Sequence, residues 1–421
     1  MGPGIVIALT WLGAGDLVDS AVAGGNYGYA LMWAMVLALF IRFVFVSIIA
    51  KYQLCNQHGE TVLAGLKRIH PLVPTVVGGL ALIFGHAYGA MSIKGAGEAT
   101  AGLVGVGSDQ YWDESFAVVW AIVAFLIVFR GNFRHVELAG YCLLGILSLS
   151  LVGVAIWAGP QPLEIVKGSL LFAFPRQHGS YEVLLLVTSL IGAVGGSIAN
   201  LLYPYFIQQK GWKGPRYRRL QLYDLAFGTG VIVMLNLAVW TIGAEILHPR
   251  GQTVEELSDL TQLLTEAMGR LGGPVFYLGA FAALFSTLVG NATGYGYMLS
   301  DIRRIQRTTE VDAREKPEEH STSWTYRAVA AWCLFTPLVW CLPGSPTFVT
   351  LTIVVNAATV VVLPLLSLGL WYITSSKRCI GQQYINRWWE NALMAGLMVL
   401  ACWGCYSAVL AISGAVSGGS H

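Results

Sequence analysis

The sequence has little charge. Asp, Glu, Lys and Arg together make up 11% of its 421 residues, whereas soluble domains contain about 25%. Hydrophobic residues make up 55%, and the mean hydropathy is +0.62. The basic residues lie in short loops and form no tract, which argues against a nucleic-acid partner. We therefore expect a polytopic protein that lies within a lipid bilayer.

Catalytic motifs are lacking as well. The sequence contains no P-loop, no HExxH and no evident grouping of Ser, His and Asp, and its glycine-rich stretches lie in apolar runs. We therefore expect no enzyme, no use of ATP and no permanently bound cofactor. The seven cysteines form no CxxC pair, and we expect buried thiols rather than metal ligands or disulfides. They are Cys55, Cys142, Cys333, Cys341, Cys379, Cys402 and Cys405.

A basic segment before the first apolar run is missing too. Met1-Gly2-Pro3-Gly4 leads directly into that run, so we expect that the first helix is retained unless the sequence has already been trimmed. At about 20 apolar residues per crossing, the hydropathy pattern predicts eleven membrane spans. They lie near residues 3–25, 27–54, 73–100, 116–130, 135–158, 182–208, 220–246, 274–299, 326–343, 346–374 and 390–413.

The basic residues are distributed unevenly between the two sets of loops that alternate along these spans. One set holds nineteen Lys and Arg residues, and the other holds only Lys167, Arg176, Arg250 and Arg270. Cytoplasmic loops collect Lys and Arg, so the pattern predicts a cytoplasmic N-terminus and an outer C-terminus. We expect a monomer in a bacterial plasma membrane.

Two apolar segments are interrupted by glycines beside polar residues, at 13–16 and at 192–200. In a bilayer, such interruptions persist where the freed backbone groups line a cavity or bind a ligand. Paired interruptions in two halves of a chain are typical of transporters with inverted repeats. We therefore predict an all-α membrane protein with a LeuT-type five-plus-five inverted repeat that works by alternating access. The repeats would span 1–158 and 182–374, with an additional helix at 390–413.

The interruptions supply oxygen donors. Asp16 follows the first one, and an aspartate among freed carbonyls favours a hard cation. The candidate cation ligands are Gly13, Asp16, Gly195, Gly196, Ser197 and Asn200. The alternatives are that Asp16 only caps the half-helix and that the glycines only allow close packing. For Asp19, one helical turn later, capping is favoured over a role as a cation ligand.

Other polar residues within the spans are candidates for gating or coupling. They are Asp19, Arg42, His86, Lys94, Glu98, Asp224 and Asn236. Lys94 and Glu98 are four residues apart, so an ion pair within one helix is the favoured explanation for them. His86 is better explained as a buried imidazole with hydrogen-bond partners than as a proton carrier. Arg42 requires a carboxylate or carbonyls, which the sequence does not identify.

These residues resemble the Nramp (natural resistance-associated macrophage protein) family of divalent-metal transporters. Residues 2–4, the first interruption and residues 23–33 are similar to the first two helices of that family. Further similarity lies in Gly192-Ala193, in 217–224 and in the count of eleven helices. The resemblance covers most of the chain and implies a divalent metal ion as cargo.

The departures from the family pattern fall on its metal site. Gly13, Ala14, Gly15 and Asp16 stand where the family has Asp-Pro-Gly-Asn, and 196–198 replace its Met-Pro-His. The resemblance is therefore to the divergent Nramp-related magnesium transporters, which implies a partly hydrated ion and no proton coupling. Since Mg²⁺ usually keeps several waters, small residues in place of Met suit it.

The sequence thus favours a transporter of Mg²⁺, with Mn²⁺ as the other candidate. One alternative is a carrier of an organic or anionic solute, with Na⁺ at the first interruption, because Arg42 and Lys94 add positive charge. A second alternative is a transporter-like sensor that binds its ligand without flux.

Overall fold

The computed structural model describes residues 14–106, 110–130, 134–177, 181–194, 197–307 and 323–418, and these ranges contain helices and no strand. The first half contains α1 (Ala14–Tyr27), α2 (Met32–Cys55), α3 (Val62–Lys67), α4 (Val73–Val104), α5 (Gln110–Arg130), α6 (Arg134–Ala158) and α7 (Pro162–Leu170). The second half contains α8 (Val183–Val194), α9 (Tyr203–Gln209), α10 (Arg218–Ile242), α11 (Leu257–Met268), α12 (Gly272–Arg307), α13 (Trp324–Phe335), α14 (Phe348–Thr359), α15 (Leu363–Ser375), α16 (Lys377–Ile380) and α17 (Trp388–Gly418).

The ends of these helices follow local sequence. The hydroxyls of Thr61, Ser323 and Thr347 cap α3, α13 and α14 by accepting a backbone N–H three residues later. Gly105 ends α4 with φ of +82°, a conformation that glycine adopts without strain. Capping residues and glycines thus separate one apolar helix from the next.

In the part of the chain that the structure describes, eight helical segments are long and apolar enough to cross a membrane. Three predicted spans do not count among them. The first begins before the described residues, and α6 continues after a bend of 107° into α7. The ninth is α13 followed by a 3₁₀ segment, Thr336–Cys341. The all-helical fold is confirmed, and the count of eleven stays a prediction.

Helix ends that were predicted to lie on one side of the membrane contact each other. At the predicted outer end, Tyr29 donates to Glu245, and the Lys94 ammonium donates to the Pro346 carbonyl at 2.5 Å. At the predicted inner end, Lys67 donates to the Ile305 carbonyl at 2.6 Å. These contacts agree with the predicted pairing of helix ends, and the orientation of the chain in the membrane stays a prediction.

Glycines allow α1 to pack directly against the end of α10. A Cβ built on Gly24 would lie 2.5 Å from the Trp240 carbonyl oxygen, and one built on Gly243 would lie 2.8 Å from the Gly25 nitrogen. Small residues permit such close backbone approach between membrane helices. The predicted outer half of the first span is therefore held tightly against the seventh.

We predict that Gly24→Ala lowers the thermal stability of the purified protein, because its methyl group would overlap the backbone of α10. Overpacking of this kind costs about 1–3 kcal/mol. Gly79→Ala is the matched control, since a Cβ there meets no atom within 4 Å. Melting curves in detergent should show a lower midpoint for the first variant only, and equal midpoints would contradict the packing described.

Candidate functional site

The interruption predicted in the sixth span is present. Helix α8 ends at Val194, and Ser197 has extended backbone with φ of −70° and ψ of 139° before a 3₁₀ segment, Ile198–Leu202. The Ser197 hydroxyl caps this segment by accepting the Ala199 N–H at 3.0 Å. Gly195 and Gly196 lie outside the described residues. The helical conformation of α8 therefore does not continue through Ser197.

The structure describes α1 from Ala14 onwards, and Asp16 lies in its first described turn. Asp16 is 3% exposed. Gly13 lies outside the described residues. The carboxylate is thus buried against the elements that face this turn of α1.

Arg42 of α2 lies between Asp16 and the end of α8. Its Nη1 is 3.4 Å from Asp16 Oδ2, and its Nη2 donates to the Ala193 carbonyl at 2.8 Å. Both charged side chains are about equally buried, with 4% of each exposed. At this separation, with an effective dielectric constant near 20, the charges attract by about 5 kcal/mol, and the cost of burying both charges opposes this attraction and can exceed it.

The electrostatic potential around the Arg42 guanidinium is negative for two reasons. The Asp16 carboxylate supplies a formal charge, and the Ala193 carbonyl lies in the last described turn of α8 and supplies a partial negative charge. Oxygens from the first and sixth spans therefore meet at one positive group. Two such oxygens could also contact a bound cation.

A second polar cluster ties α1 to two other helices. Asp19 is fully buried; its Oδ1 accepts from the Ser189 hydroxyl at 2.8 Å and its Oδ2 from Asn356 Nδ2 at 3.0 Å. Ser189 lies on α8 and Asn356 on α14. One turn of α1 thus connects the first, sixth and tenth spans.

Helix α4 lines the same region. The Tyr88 hydroxyl is 2.8 Å from Ser197 Oγ, and the Met91 methyl lies 3.1 Å from where a Cβ on Gly15 would be. A thioether therefore lies close to the first interruption. The sequence interpretation, which assigned the pocket oxygen donors alone, did not foresee this contribution from the third span.

The predicted gating residues fall in several places. Asn236 of α10 is buried beside α1 and accepts from Ser20 at 2.7 Å. His86 has partners for both ring nitrogens, the Thr336 hydroxyl and the Trp340 indole N–H. Asp224 lies half-buried nearer the start of α10.

Asn200 is buried within the 3₁₀ segment that follows Ser197. The predicted ion pair between Lys94 and Glu98 is wrong. Lys94 instead reaches the loop before α14, where it donates to the Pro346 carbonyl, and among the described residues neither side chain forms an ion pair within 4 Å. Lys94 thus contacts another element of the fold rather than Glu98 on its own helix.

Sequence reasoning missed Ala193, Ser189, Tyr88, Met91 and Asn356. Asn356 was detectable, because an amide in an apolar span requires an explanation. Ala193 contributes only its backbone carbonyl, so no side-chain pattern could indicate it.

Comparison with known proteins identifies the family to which the chain belongs. The model described as "Natural resistance-associated macrophage protein-like" (Nramp) matches residues 4–410. The chain belongs to the Nramp family. Nramp proteins are membrane transporters and not enzymes, which confirms that prediction. The more specific resemblance to the magnesium-related branch remains a prediction.

Several curated relatives of this Nramp chain carry names of metal transporters. It is 24% identical over 322 residues to the divalent metal cation transporter MntH of Chromohalobacter salexigens, covering 70% of this chain and 68% of that one. It is 25% identical to the natural resistance-associated macrophage protein 2 homolog of Dictyostelium discoideum, covering 70% of this chain and 47% of that one. The aligned part is thus less than half of the Dictyostelium protein.

Solved structures show the same fold. A mutant of the Eremococcus coleocola manganese transporter superposes with a TM-score of 0.77 at 17% identity, covering 99% of this chain and 86% of that one. MhsT in complex with L-phenylalanine superposes with a TM-score of 0.54 at 14% identity, covering 96% and 98%. These likenesses support the LeuT-type architecture and do not identify a cargo.

We predict that Asn356→Ala destabilises the protein, because the buried Asp19 carboxylate loses one of its two amide or hydroxyl donors. An unsatisfied buried group of this kind costs about 1–3 kcal/mol, or more when charged. Ser367→Ala is the matched control on α15, since the buried Ser367 hydroxyl has no hydrogen-bond partner in the described residues. Melting midpoints in detergent measure both, and equal shifts would argue against the Asp19 contacts.

Proposed function

We propose that this Nramp protein transports a divalent metal cation by alternating access, with Asp16 and the Ala193 carbonyl as its first ligands. The observation that supports this proposal is the convergence of two oxygens, from two separate spans, on one positive group. The names of the curated relatives agree with a divalent cation as cargo.

For the identity of the ion, we favour Mg²⁺, with Mn²⁺ as the second candidate. No group of three His, Cys, Asp or Glu side chains that could hold a metal occurs among the described residues. An ion at Asp16 would therefore keep several waters, as Mg²⁺ does in proteins. Met91, whose methyl group lies beside Gly15, is the reason to keep Mn²⁺ as a candidate, because a nearby thioether would suit a transition metal better than Mg²⁺.

The proposed transport is not coupled to protons. Ile198 stands where the family has the histidine linked to proton movement, and the His86 ring has a partner at each nitrogen. The proposed halves, 1–158 and 182–374, would move relative to each other around the site.

A second candidate is a carrier of an organic or anionic solute. The observation that favours it is Arg42 itself, because a buried guanidinium already neutralises the acid that a cation would require. An anion would bind the guanidinium in place of Asp16. The two candidates require opposite charges on the cargo, so binding experiments separate them.

We predict that Asp16→Asn abolishes uptake of Mg²⁺ and Mn²⁺ into proteoliposomes. Loss of a group that supports a metal site lowers affinity or activity by about 10- to 100-fold, and a direct ligand should cost at least that. The control is Glu164→Gln, which removes an acid that is 45% exposed on α7. Because Asp16→Asn leaves Arg42 without its acid, Asp16→Asn with Arg42→Gln provides a neutral pocket that should also lack uptake.

Calorimetry of the wild-type protein against Mg²⁺, Mn²⁺, Na⁺ and a panel of carboxylates and amino acids accompanies the flux assay. Unchanged metal uptake by Asp16→Asn would remove the proposed site. Binding of an organic anion with no metal binding would favour the second candidate. Metal binding without flux would indicate a sensor.

A further inference from the structure

We propose that the Arg42 guanidinium is a tethered counter-ion that occupies the cation position when the carrier is empty and leaves it when the substrate binds. This inference rests on the proposed function and concerns the same site. Its basis is that the two oxygens assigned to the substrate are those that the guanidinium contacts, Asp16 Oδ2 and the Ala193 carbonyl.

The geometry makes substrate and guanidinium exclude each other. Both nitrogens of Arg42 that make these contacts point at the proposed ligands, so a cation cannot bind them while the guanidinium stays. Charge adds to this exclusion. With Asp16, Arg42 and a divalent cation together, the buried site would carry a net charge of +2, which a low-dielectric environment strongly disfavours.

A second buried cation on α2, Lys51, forms a closer ion pair than Arg42 does. Lys51 lies 2.7 Å from both carboxylate oxygens of Glu390 and 2.9 Å from the Asn386 side-chain oxygen. The contact of Arg42 with its acid is longer, at 3.4 Å to Asp16 Oδ2. Lys51 thus joins α2 to α17 by a close ion pair, whereas the longer separation between Arg42 and Asp16 suits a group that is exchanged.

The consequence concerns the empty carrier. After releasing its cargo, an alternating-access carrier must return with its site empty, and a buried carboxylate without a partner would oppose that step. Arg42 neutralises Asp16 during the return. Exchange of one bound cation for another never requires an empty return, so exchange does not depend on Arg42 in this way.

The test compares two fluxes of Mn²⁺ in proteoliposomes that contain the full chain. One is net uptake into vesicles without internal metal, and the other is exchange of tracer Mn²⁺ against internal Mn²⁺. For Arg42→Gln we predict that the ratio of exchange to net uptake rises about tenfold or more, because only the empty return is impaired. Calorimetry should show Mn²⁺ binding about tenfold tighter, since the internal competitor is gone.

Three variants complete the design. Arg42→Lys keeps the charge and should keep the ratio closer to that of the wild type. Arg42→Met keeps most of the bulk without charge and serves if Arg42→Gln does not fold, as judged by size-exclusion chromatography. Lys51→Gln removes a buried cation away from the site and should leave the ratio unchanged.

An unchanged ratio in both neutral variants, or weaker Mn²⁺ binding, would overturn the inference while leaving metal transport intact. Absence of divalent-cation flux in the wild type would instead overturn the proposed function. The two failures are therefore distinguishable within one experiment.

Discussion

The contact of Arg42 with Asp16 and the Ala193 carbonyl is the interaction on which the rest of the site depends. It joins α1, α2 and the described end of α8, next to the two predicted interruptions. Removing either charged partner would leave a buried charge uncompensated, which typically costs about 3–5 kcal/mol. When the helices pack around Asp16, its carboxylate therefore requires a positive partner. That partner is Arg42 here, and it would be the cargo in the proposed bound state.

Helix α1 connects Asp16 to the other helices of the fold. Along it, Asp16 contacts α2, Asp19 contacts α8 and α14, Ser20 contacts α10, and Gly24 packs on the backbone of α10. Four neighbouring helices thus hold α1 along its length. Closely packed interfaces of this kind switch between discrete arrangements rather than deforming continuously. Binding at the proposed site could therefore alter contacts along the whole of α1.

Much of this arrangement could be predicted from sequence. The low charge, the glycine interruptions and the distribution of basic residues indicated a membrane transporter, and Asp16 was identified because an acid within the membrane requires a function. Interactions between distant elements could not be predicted. The partner of Arg42 is a carboxylate 26 residues earlier together with a carbonyl 151 residues later. Lys94 was assigned to Glu98 by helical spacing, but a carbonyl 252 residues away binds it.

The carbonyl end of α8 affects which sign of charge the proposed site can hold. A cation at Asp16 would displace Arg42 but would still lie near this end of α8, which stabilises positive charge. An anion at Arg42 would leave Asp16 without its partner and would lie against the same carbonyl end, which would repel it. The carboxylate and the end of α8 thus act in the same direction, and the guanidinium alone acts in the other. Because two of these three contributors attract positive charge, the field agrees with the proposed cation cargo once Arg42 has moved away.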